Sequence, residues 1–334
     1  MNRLARFFSR FGGGVIGGPP PNLIEKAGLM VTLWPSFPHF GRFAKDTRLA
    51  GIRLNSAMIS NPELEVELNA LRSADVQVPL FFDVKGRQLR VEEAKVVGDH
   101  LEVDLNHPVY ASPGTVVLFK AEREHAQLHH VSKGGWRLVF RPRQPESVVV
   151  AGESIHIRAA DFRVLSGPQF TNVELAKIAQ VKAAGFTRWF LSYVQSARDV
   201  AEFRELVGKD AEVWLKIEDQ AGLEYVRREF RKAPGLTLVA ARGDMYIEVA
   251  KPHDILPALR LIIERDPEAC VGSRIMLSLV RGNVPDCADF LDLAWLHDVG
   301  YRRFMICDEL CLKESLLAST INAFEAFRSV QELK

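Results

Sequence analysis

The feature that most constrains the fold of this chain is a repeated alternation of short apolar segments with segments of helical periodicity. Three segments near the N-terminus, LMVTLW, LAGIRLN and VQVPLFFDV, are predicted strands, and a helix is predicted over Pro62 to Arg72. After Gly167 the alternation continues with TRWFLSYV, EVWLKIED, LTLVAARGD, ACVGSRIML and YRRFMIC. Such strand–helix repeats indicate a parallel sheet covered by helices. Three strands followed by five predict an α/β fold of the closed (β/α)8 TIM type.

The segment between the third and fourth predicted barrel strands has a different pattern. Short alternating runs such as LEVDLN, TVVLFKAE and WRLVFRP are separated there by Gly, Pro, Asn and Asp. We therefore predict a small all-β domain over residues 87–164, inserted after strand three. The barrel is predicted to occupy residues 25–86 and 165–334.

Residues 1–24 differ from the rest of the chain. MNRLARFFSRF mixes arginines with apolar residues, and GGGVIGGPPP follows it as a linker. Because the arginines interrupt the apolar stretch, the segment is not typical of a signal peptide. We predict a flexible basic arm.

Charge and composition exclude several classes of protein. The net charge of +1 provides no basic field for nucleic acid. The chain has no run of eighteen apolar residues, which predicts that it has no transmembrane helix. Four cysteines in 334 residues are not typical of a disulfide framework, so reduced, buried thiols and a cytoplasmic location are expected.

Polar residues fall repeatedly at the C-terminal ends of the predicted strands, where barrel enzymes place their working groups. Lys216 and Glu218 are two apart on one strand and share a face. Glu218 and Asp244 end successive strands, and two neighbouring carboxylates suit Mg²⁺. Arg53 and Lys216 add positive charge suited to a phosphoryl group or an enolate.

Ordered segments of this chain resemble the pyruvate kinase family over nearly all of residues 25–330. GIRLN resembles the arginine-bearing second strand of that family, and DVKGRQLR is similar to its DTKGPEIR. LSYVQSA resembles SFVRSA, KIEDQAG resembles KIENQEG, VAARGD resembles VARGD, and GSRIMLSL resembles ATQMLESM. The inserted β domain also lies where the lid of that family lies.

The resemblance implies a role for each matching residue. Lys216 would stabilise the transferring phosphoryl group or the enolate, and Arg53 would contact phosphoryl oxygens. Mg²⁺ or Mn²⁺ would be held by Glu218 and Asp244, while Ser273 would lie near the protonated carbon. The remaining matches are substrate-binding or cation-binding positions: Asn55, Asp83, Arg90 and the backbone of Gly243 and Asp244.

The chain also departs from the family pattern. Ala57 and Val84 replace two hydroxyl residues around the monovalent cation, so that site is predicted to be lost or rebuilt. Trp34 and Tyr246 replace glycines of the family and are expected to alter the nucleotide side. The regulatory C-terminal domain of the family is expected to be missing, which leaves a homo-oligomer possible but without the usual contacts.

Three functions are consistent with these residues. The first is a pyruvate kinase-like phosphotransferase, with phosphoenolpyruvate or pyruvate as substrate and possibly ADP or ATP as co-substrate. The second is an aldolase, decarboxylase or enolpyruvyl-type enzyme that uses the same metal–enolate site without a nucleotide. The third is a non-catalytic sensor that keeps the pocket. Retention of Lys216, Glu218 and Asp244 favours the first two.

Overall fold

A computed structural model describes residues 27–120, 123–159, 161–165, 167–249 and 251–332. The predicted basic arm, residues 1–24, lies outside the described residues. The strands are β1 (Gly28–Thr32), β2 (Leu49–Asn55), β3 (Leu80–Val84), β4 (Val91–Val97), β5 (His100–Leu105), β6 (Val109–Tyr110), β7 (Val116–Phe119), β8 (Glu124–Gln127), β9 (His130–Ser132), β10 (Arg137–Phe140), β11 (His156–Arg158), β12 (Arg163–Val164), β13 (Arg188–Leu191), β14 (Glu212–Ile217), β15 (Leu236–Ala241), β16 (Cys270–Gly272) and β17 (Arg303–Met305).

The α-helices within the described residues lie between the barrel strands or follow the last one. They are α1 (Phe40–Phe43), α2 (Asn61–Ser73), α3 (Asn172–Ala183), α4 (Ala197–Val207), α5 (Gln220–Arg228), α6 (Arg242–Glu248), α7 (Ile255–Arg265), α8 (Cys287–Val299) and α9 (Glu314–Glu332). Capping boxes begin α2, where Ser60 is bonded to Glu63, α3, where Thr171 is bonded to Glu174, and α8, where Asp286 is bonded to Asp289. No helix in the described part of the chain is both long and apolar enough to cross a membrane.

Eight parallel strands close into a barrel in the order β1-β17-β16-β15-β14-β13-β3-β2. The predicted (β/α)8 fold is therefore confirmed. Each strand except β2 contributes one buried side chain to a cluster inside the barrel: Met30, Phe81, Phe190, Trp214, Val239, Cys270 and Met305. On β2 the matching position is Gly51, where a Cβ would lie only 2.6 Å from the Met30 Cε. Side chains therefore fill the barrel interior, so the space for a ligand is at the mouth of the barrel.

A second layer of core joins the strands to the helices. Trp189 on β13 meets Phe203 of α4 edge-on at 5.8 Å between ring centroids. Phe304 on β17 contacts Phe324 of α9 at 5.5 Å. All four rings are fully buried. This packing fixes the strands whose ends carry the polar residues.

Strands β4 to β12 lie between β3 and α3 and form three antiparallel sheets, ordered β4-β5-β10-β9, β11-β7-β8 and β12-β6. They enclose their own apolar core, which includes Val103, Phe119 and Phe140. An all-β domain inserted after the third barrel strand is therefore confirmed, while its limits at 87 and 164 stay a prediction. The four cysteines are free, but Cys287 is exposed rather than buried as expected.

The inserted domain contacts the barrel through β11 and α6. Arg158 donates from Nε to the backbone oxygen of Ile247 at 3.2 Å. His156 is buried, and its Nδ1 lies 3.0 Å from Oε1 of Glu248. Its Nε2 faces Oδ1 of Asp244 at 3.6 Å. The domain therefore reaches the helix that carries one of the predicted metal-binding carboxylates.

Candidate active site

A cavity of about 240 Å³ opens at the C-terminal mouth of the barrel. Eight of the nine predicted site residues line it: Arg53, Asn55, Arg90, Lys216, Glu218, Gly243, Asp244 and Ser273. The ninth, Asp83, is fully buried and hydrogen-bonds to Arg53. The strand-end pattern in the sequence therefore located side chains that the fold brings together. Their roles stay predictions.

One side of the cavity, which we call the carboxylate side, consists of Lys216, Glu218 and Asp244. Because Lys216 and Glu218 are two apart at the end of β14, both face the cavity, and Lys216 Nζ lies 2.8 Å from Glu218 Oε1. Glu218 Oε2 accepts a hydrogen bond from the backbone N–H of Tyr193 at 2.6 Å. The buried Oε1 has no hydrogen bond of good angle, although the ammonium is close.

The carboxyl groups of Glu218 and Asp244 are neighbours, and each shifts the pKa of the other. Burial raises the pKa of Glu218 to about 7, and Asp244 adds to this while Lys216 opposes it. Burial also acts to raise the pKa of Asp244, but His156 and Lys216 hold it below its ordinary value. Ionisation of both carboxyl groups at once is therefore disfavoured, as expected when two carboxylates occupy one site.

The carboxylate side offers oxygen donors of the kind that the predicted metal takes. In the part of the chain that the structure describes, no group of three or more His, Cys, Asp and Glu side chains converges as a metal cluster. Mg²⁺ typically takes one or two carboxylates and completes its shell with water and substrate oxygens. Two adjacent carboxylates, one with a buried oxygen that lacks a hydrogen bond, fit that requirement for Mg²⁺ or Mn²⁺.

The opposite side of the cavity, which we call the arginine side, consists of Arg53, Asp83 and Asp308. Arg53 donates from Nε to Thr32 Oγ1 at 2.9 Å and from Nη1 to Asp83 Oδ2 at 3.0 Å. Its Nη2 donates to Asp308 Oδ1. Burial acts to lower the pKa of Arg53, but Asp308 and Asp83 raise it above its ordinary value. The guanidinium is therefore charged and already paired with two acids.

Asp83 is the centre of the arginine side. Lys85 Nζ lies 2.8 Å from Asp83 Oδ2, and Lys216 Nζ lies 3.8 Å from the same atom. Ser192 donates to Oδ1 at 3.2 Å. Burial acts to raise the pKa of Asp83, but Lys216, Lys85 and Arg53 hold it well below its usual range. The structure therefore places Asp83 among cations and not with the Glu218–Asp244 pair.

The predicted ligands of a monovalent cation are engaged by the protein itself. Asn55 Nδ2 donates to Asp308 Oδ2 at 2.8 Å, and Asn55 Oδ1 accepts from the N–H of Ala57 at 3.1 Å. Asp83 is bonded to cations as described above. Burial lowers the pKa of Lys85 to about 8, while Asp83 opposes that shift.

Several residues of the site were not predicted, among them Asp308, Ser192, His156 and Glu248. Asp308 follows β17, and Ser192 follows β13, so extending the strand-end rule to those two strands finds both. Lys216 donates to Ser192 Oγ at 2.9 Å. His156 and Glu248 carry no such signal, because one lies in the inserted domain and the other at the end of α6.

The two substitutions expected on the nucleotide side do not line the cavity. Trp34 is fully buried, donates to the backbone oxygen of Asn55 at 3.2 Å and meets Phe82 edge-on. Tyr246 lies on α6, and the guanidinium of Arg274 stacks over its ring at 5.0 Å from the ring centroid. Neither ring lines this cavity, and their effect on the nucleotide side stays a prediction.

Two curated proteins match this chain. A pyruvate kinase from Thermoplasma acidophilum is 23% identical over 289 residues, which are 80% of this chain and 51% of that protein. A pyruvate kinase from Agrobacterium vitis is 32% identical over 110 residues, which are 31% of this chain and 22% of that protein. The chain thus spans about half the length of the first relative. No family model matches it.

The fold and the site together define a class of protein. It is a (β/α)8 barrel with an inserted β domain and a cluster of lysine and carboxylate side chains at the barrel mouth. The two matches agree with the ordered segments that carry the resemblance. By fold, site and these matches, the chain is similar to the pyruvate kinases.

Proposed function

We propose that this chain is a divalent-metal-dependent enzyme that handles phosphoenolpyruvate or pyruvate through the enolate of pyruvate. One observation carries the proposal: Lys216 Nζ lies 2.8 Å from Glu218, whose carboxyl group adjoins that of Asp244. An ammonium next to a two-carboxylate oxygen site is suited to an anion that develops on a substrate oxygen.

Each residue on the carboxylate side has a distinct task in this proposal. Asp83 and Glu218 outweigh the effect of burial and raise the pKa of Lys216, so its ammonium keeps its charge and can neutralise the enolate oxygen. Glu218 and Asp244 would hold Mg²⁺ or Mn²⁺, which when bound supplies positive charge to the substrate oxygens. Ser273, at the cavity wall, would lie near the carbon that gains or loses a proton.

Phosphoryl transfer in the manner of a pyruvate kinase is the first candidate reaction. Lys216, Arg53 and both carboxylates line one cavity, as that reaction requires. Aldol or decarboxylation chemistry of the same enolate is the second candidate. It is favoured by the pairing of Arg53 with Asp83 and Asp308, which leaves less positive charge for a phosphoryl group.

The proposal is tested by calorimetry with oxalate as an analogue of the pyruvate enolate. We expect oxalate to bind when Mg²⁺ is present and not after chelation, and Glu218→Gln to abolish that binding. Glu212→Gln is the matched control, because Glu212 begins the same strand far from the cavity. Absence of Mg²⁺-dependent binding to the parent protein would refute the proposed function. A parallel titration with ADP examines the phosphotransfer candidate.

A further inference from the structure

We propose that Asp308 makes this cavity selective for a 2-oxo acid without a phosphoryl group, of the pyruvate class, over phosphoenolpyruvate. The inference rests on the proposed function and narrows its substrate. The carboxylate of Asp308 is bonded to Arg53, which is the residue predicted to contact phosphoryl oxygens. Asp308 Oδ1 accepts from Arg53 Nη2, and Oδ2 accepts from Asn55 Nδ2 at 2.8 Å.

The two anchors hold the carboxylate as a bound anion would be held. Arg53 and Asn55 both stand at the end of β2, and Asp308 follows β17 on the other side of β1. Each carboxylate oxygen therefore has its own donor from β2. Since Asp83 occupies Nη1 and Thr32 occupies Nε of Arg53, all three nitrogens of the guanidinium already have a partner. An incoming phosphoryl group therefore competes with the carboxylate of Asp308 for the guanidinium.

The other charges of the cavity do not make up for this pairing. Its lining carries four cationic and four carboxylate side chains: Arg53, Lys85, Arg90 and Lys216 against Glu218, Asp244, Asp308 and Glu309. Lys85 is 2.8 Å from Asp83, and Lys216 is 2.8 Å from Glu218. A phosphoryl group brings about −1.5 to −2 charges at pH 7. Three of the four lining cations, Arg53, Lys85 and Lys216, are thus already paired with carboxylates of the protein.

A 2-oxo acid makes a smaller demand on the same lining. Within the described residues, Arg90 is the lining cation that forms no ion pair, and it bonds to neutral oxygens of Gly152 and Gln88 at 2.6 Å each. That charge is sufficient for one carboxylate. The cavity of 240 Å³ corresponds to about eight water volumes, which is enough for a three- or four-carbon acid. The substrate class that fits is therefore a small 2-oxo acid.

The experiment measures, by calorimetry with Mg²⁺ present, the binding of oxalate, phosphoenolpyruvate and inorganic phosphate to the parent protein, Asp308→Asn and Asp308→Ala. We expect phosphoenolpyruvate to bind the parent at least about tenfold more weakly than oxalate, because its phosphoryl group competes with the carboxylate of Asp308 for Arg53. We expect Asp308→Asn to tighten binding of phosphoenolpyruvate and phosphate about tenfold while oxalate changes little. Glu309→Gln is the matched control, since Glu309 lines the same cavity and does not contact Arg53.

The outcomes separate this inference from the function on which it rests. Parent protein that binds phosphoenolpyruvate as tightly as oxalate, with no gain in Asp308→Asn or Asp308→Ala, overturns the selectivity and leaves the enolate function standing. An equal gain of phosphate affinity in Glu309→Gln also overturns it, because the effect is then one of overall charge. Failure of oxalate to bind the parent refutes the proposed function itself. Thermal unfolding of each variant shows that a change in binding is measured on folded protein.

Discussion

The two sides of the cavity contain similar residues in very different electrostatic states. On the carboxylate side, Glu218 and Asp244 share the ammonium of Lys216, which lies 2.8 Å from Glu218 Oε1, and burial and Asp244 raise the pKa of Glu218 to about 7. On the arginine side, Arg53 is bonded to both Asp83 and Asp308. Two neighbouring carboxylates that share one ammonium are short of positive charge, so they indicate where a cation belongs. The comparison teaches that one side is prepared for a ligand and the other is satisfied by the protein.

Replacement of Lys216 by Met breaks the carboxylate side and has the largest expected effect. The enolate would lose its nearest ammonium, so we expect turnover to fall by about 100- to 1,000-fold, as for removal of one oxyanion donor. Binding of Mn²⁺, followed by its electron paramagnetic resonance signal, should persist because both carboxylates remain. Unchanged turnover would remove Lys216 from the mechanism.

Glu218→Gln tests whether the metal binds on the carboxylate side and not on the arginine side. Because it replaces an expected ligand, we predict Mn²⁺ affinity to fall by more than about tenfold, at least the loss seen for changes next to a metal ligand. Asp308→Asn is the counterpart on the arginine side and should leave the affinity nearly unchanged. Equal losses in the two variants would show that the metal does not distinguish the two sides.

Asp83→Asn tests the claim that the arginine side is internally compensated. Asp83 is fully buried and pairs with Arg53 and Lys85, so the variant leaves buried cations short of their counter-charge. We expect the free energy of unfolding to fall by about 3–5 kcal/mol in urea titrations. Asp308→Asn should cost less, because the side chain of Asp308 is 32% exposed. A loss of stability in Asp83→Asn no larger than in Asp308→Asn would contradict this account.

The smallest expected effect is that of removing potassium. Asn55 and Asp83 are engaged by Asp308, Ala57 and neighbouring cations, so their oxygens are not set aside for a monovalent ion. We predict the same turnover when potassium is replaced by tetramethylammonium at constant ionic strength. A strict requirement for potassium would show that the arginine side rearranges to admit an ion.

Local pattern predicted the fold and most of the site, because the barrel strands are short apolar runs between helical periods. Lys216 and Glu218 were recognisable from their spacing on one strand. The contact between Arg53 and Asp308 joins residues 255 apart and exists only because the barrel closes between β1 and β17. His156 reaches Asp244 from the inserted domain, and no local signal announces that. Contacts between side chains from distant parts of the chain therefore could not be predicted from the pattern of any single strand.

Enolisation of pyruvate tests the central claim most directly. Pyruvate is incubated with the protein and Mg²⁺ in D₂O, and incorporation of deuterium into its methyl group is followed by NMR. The account predicts exchange that stops when the metal is chelated and is lost in Lys216→Met. Pyruvate that binds in the presence of Mg²⁺ and keeps all of its methyl protons would contradict an enolate-forming site.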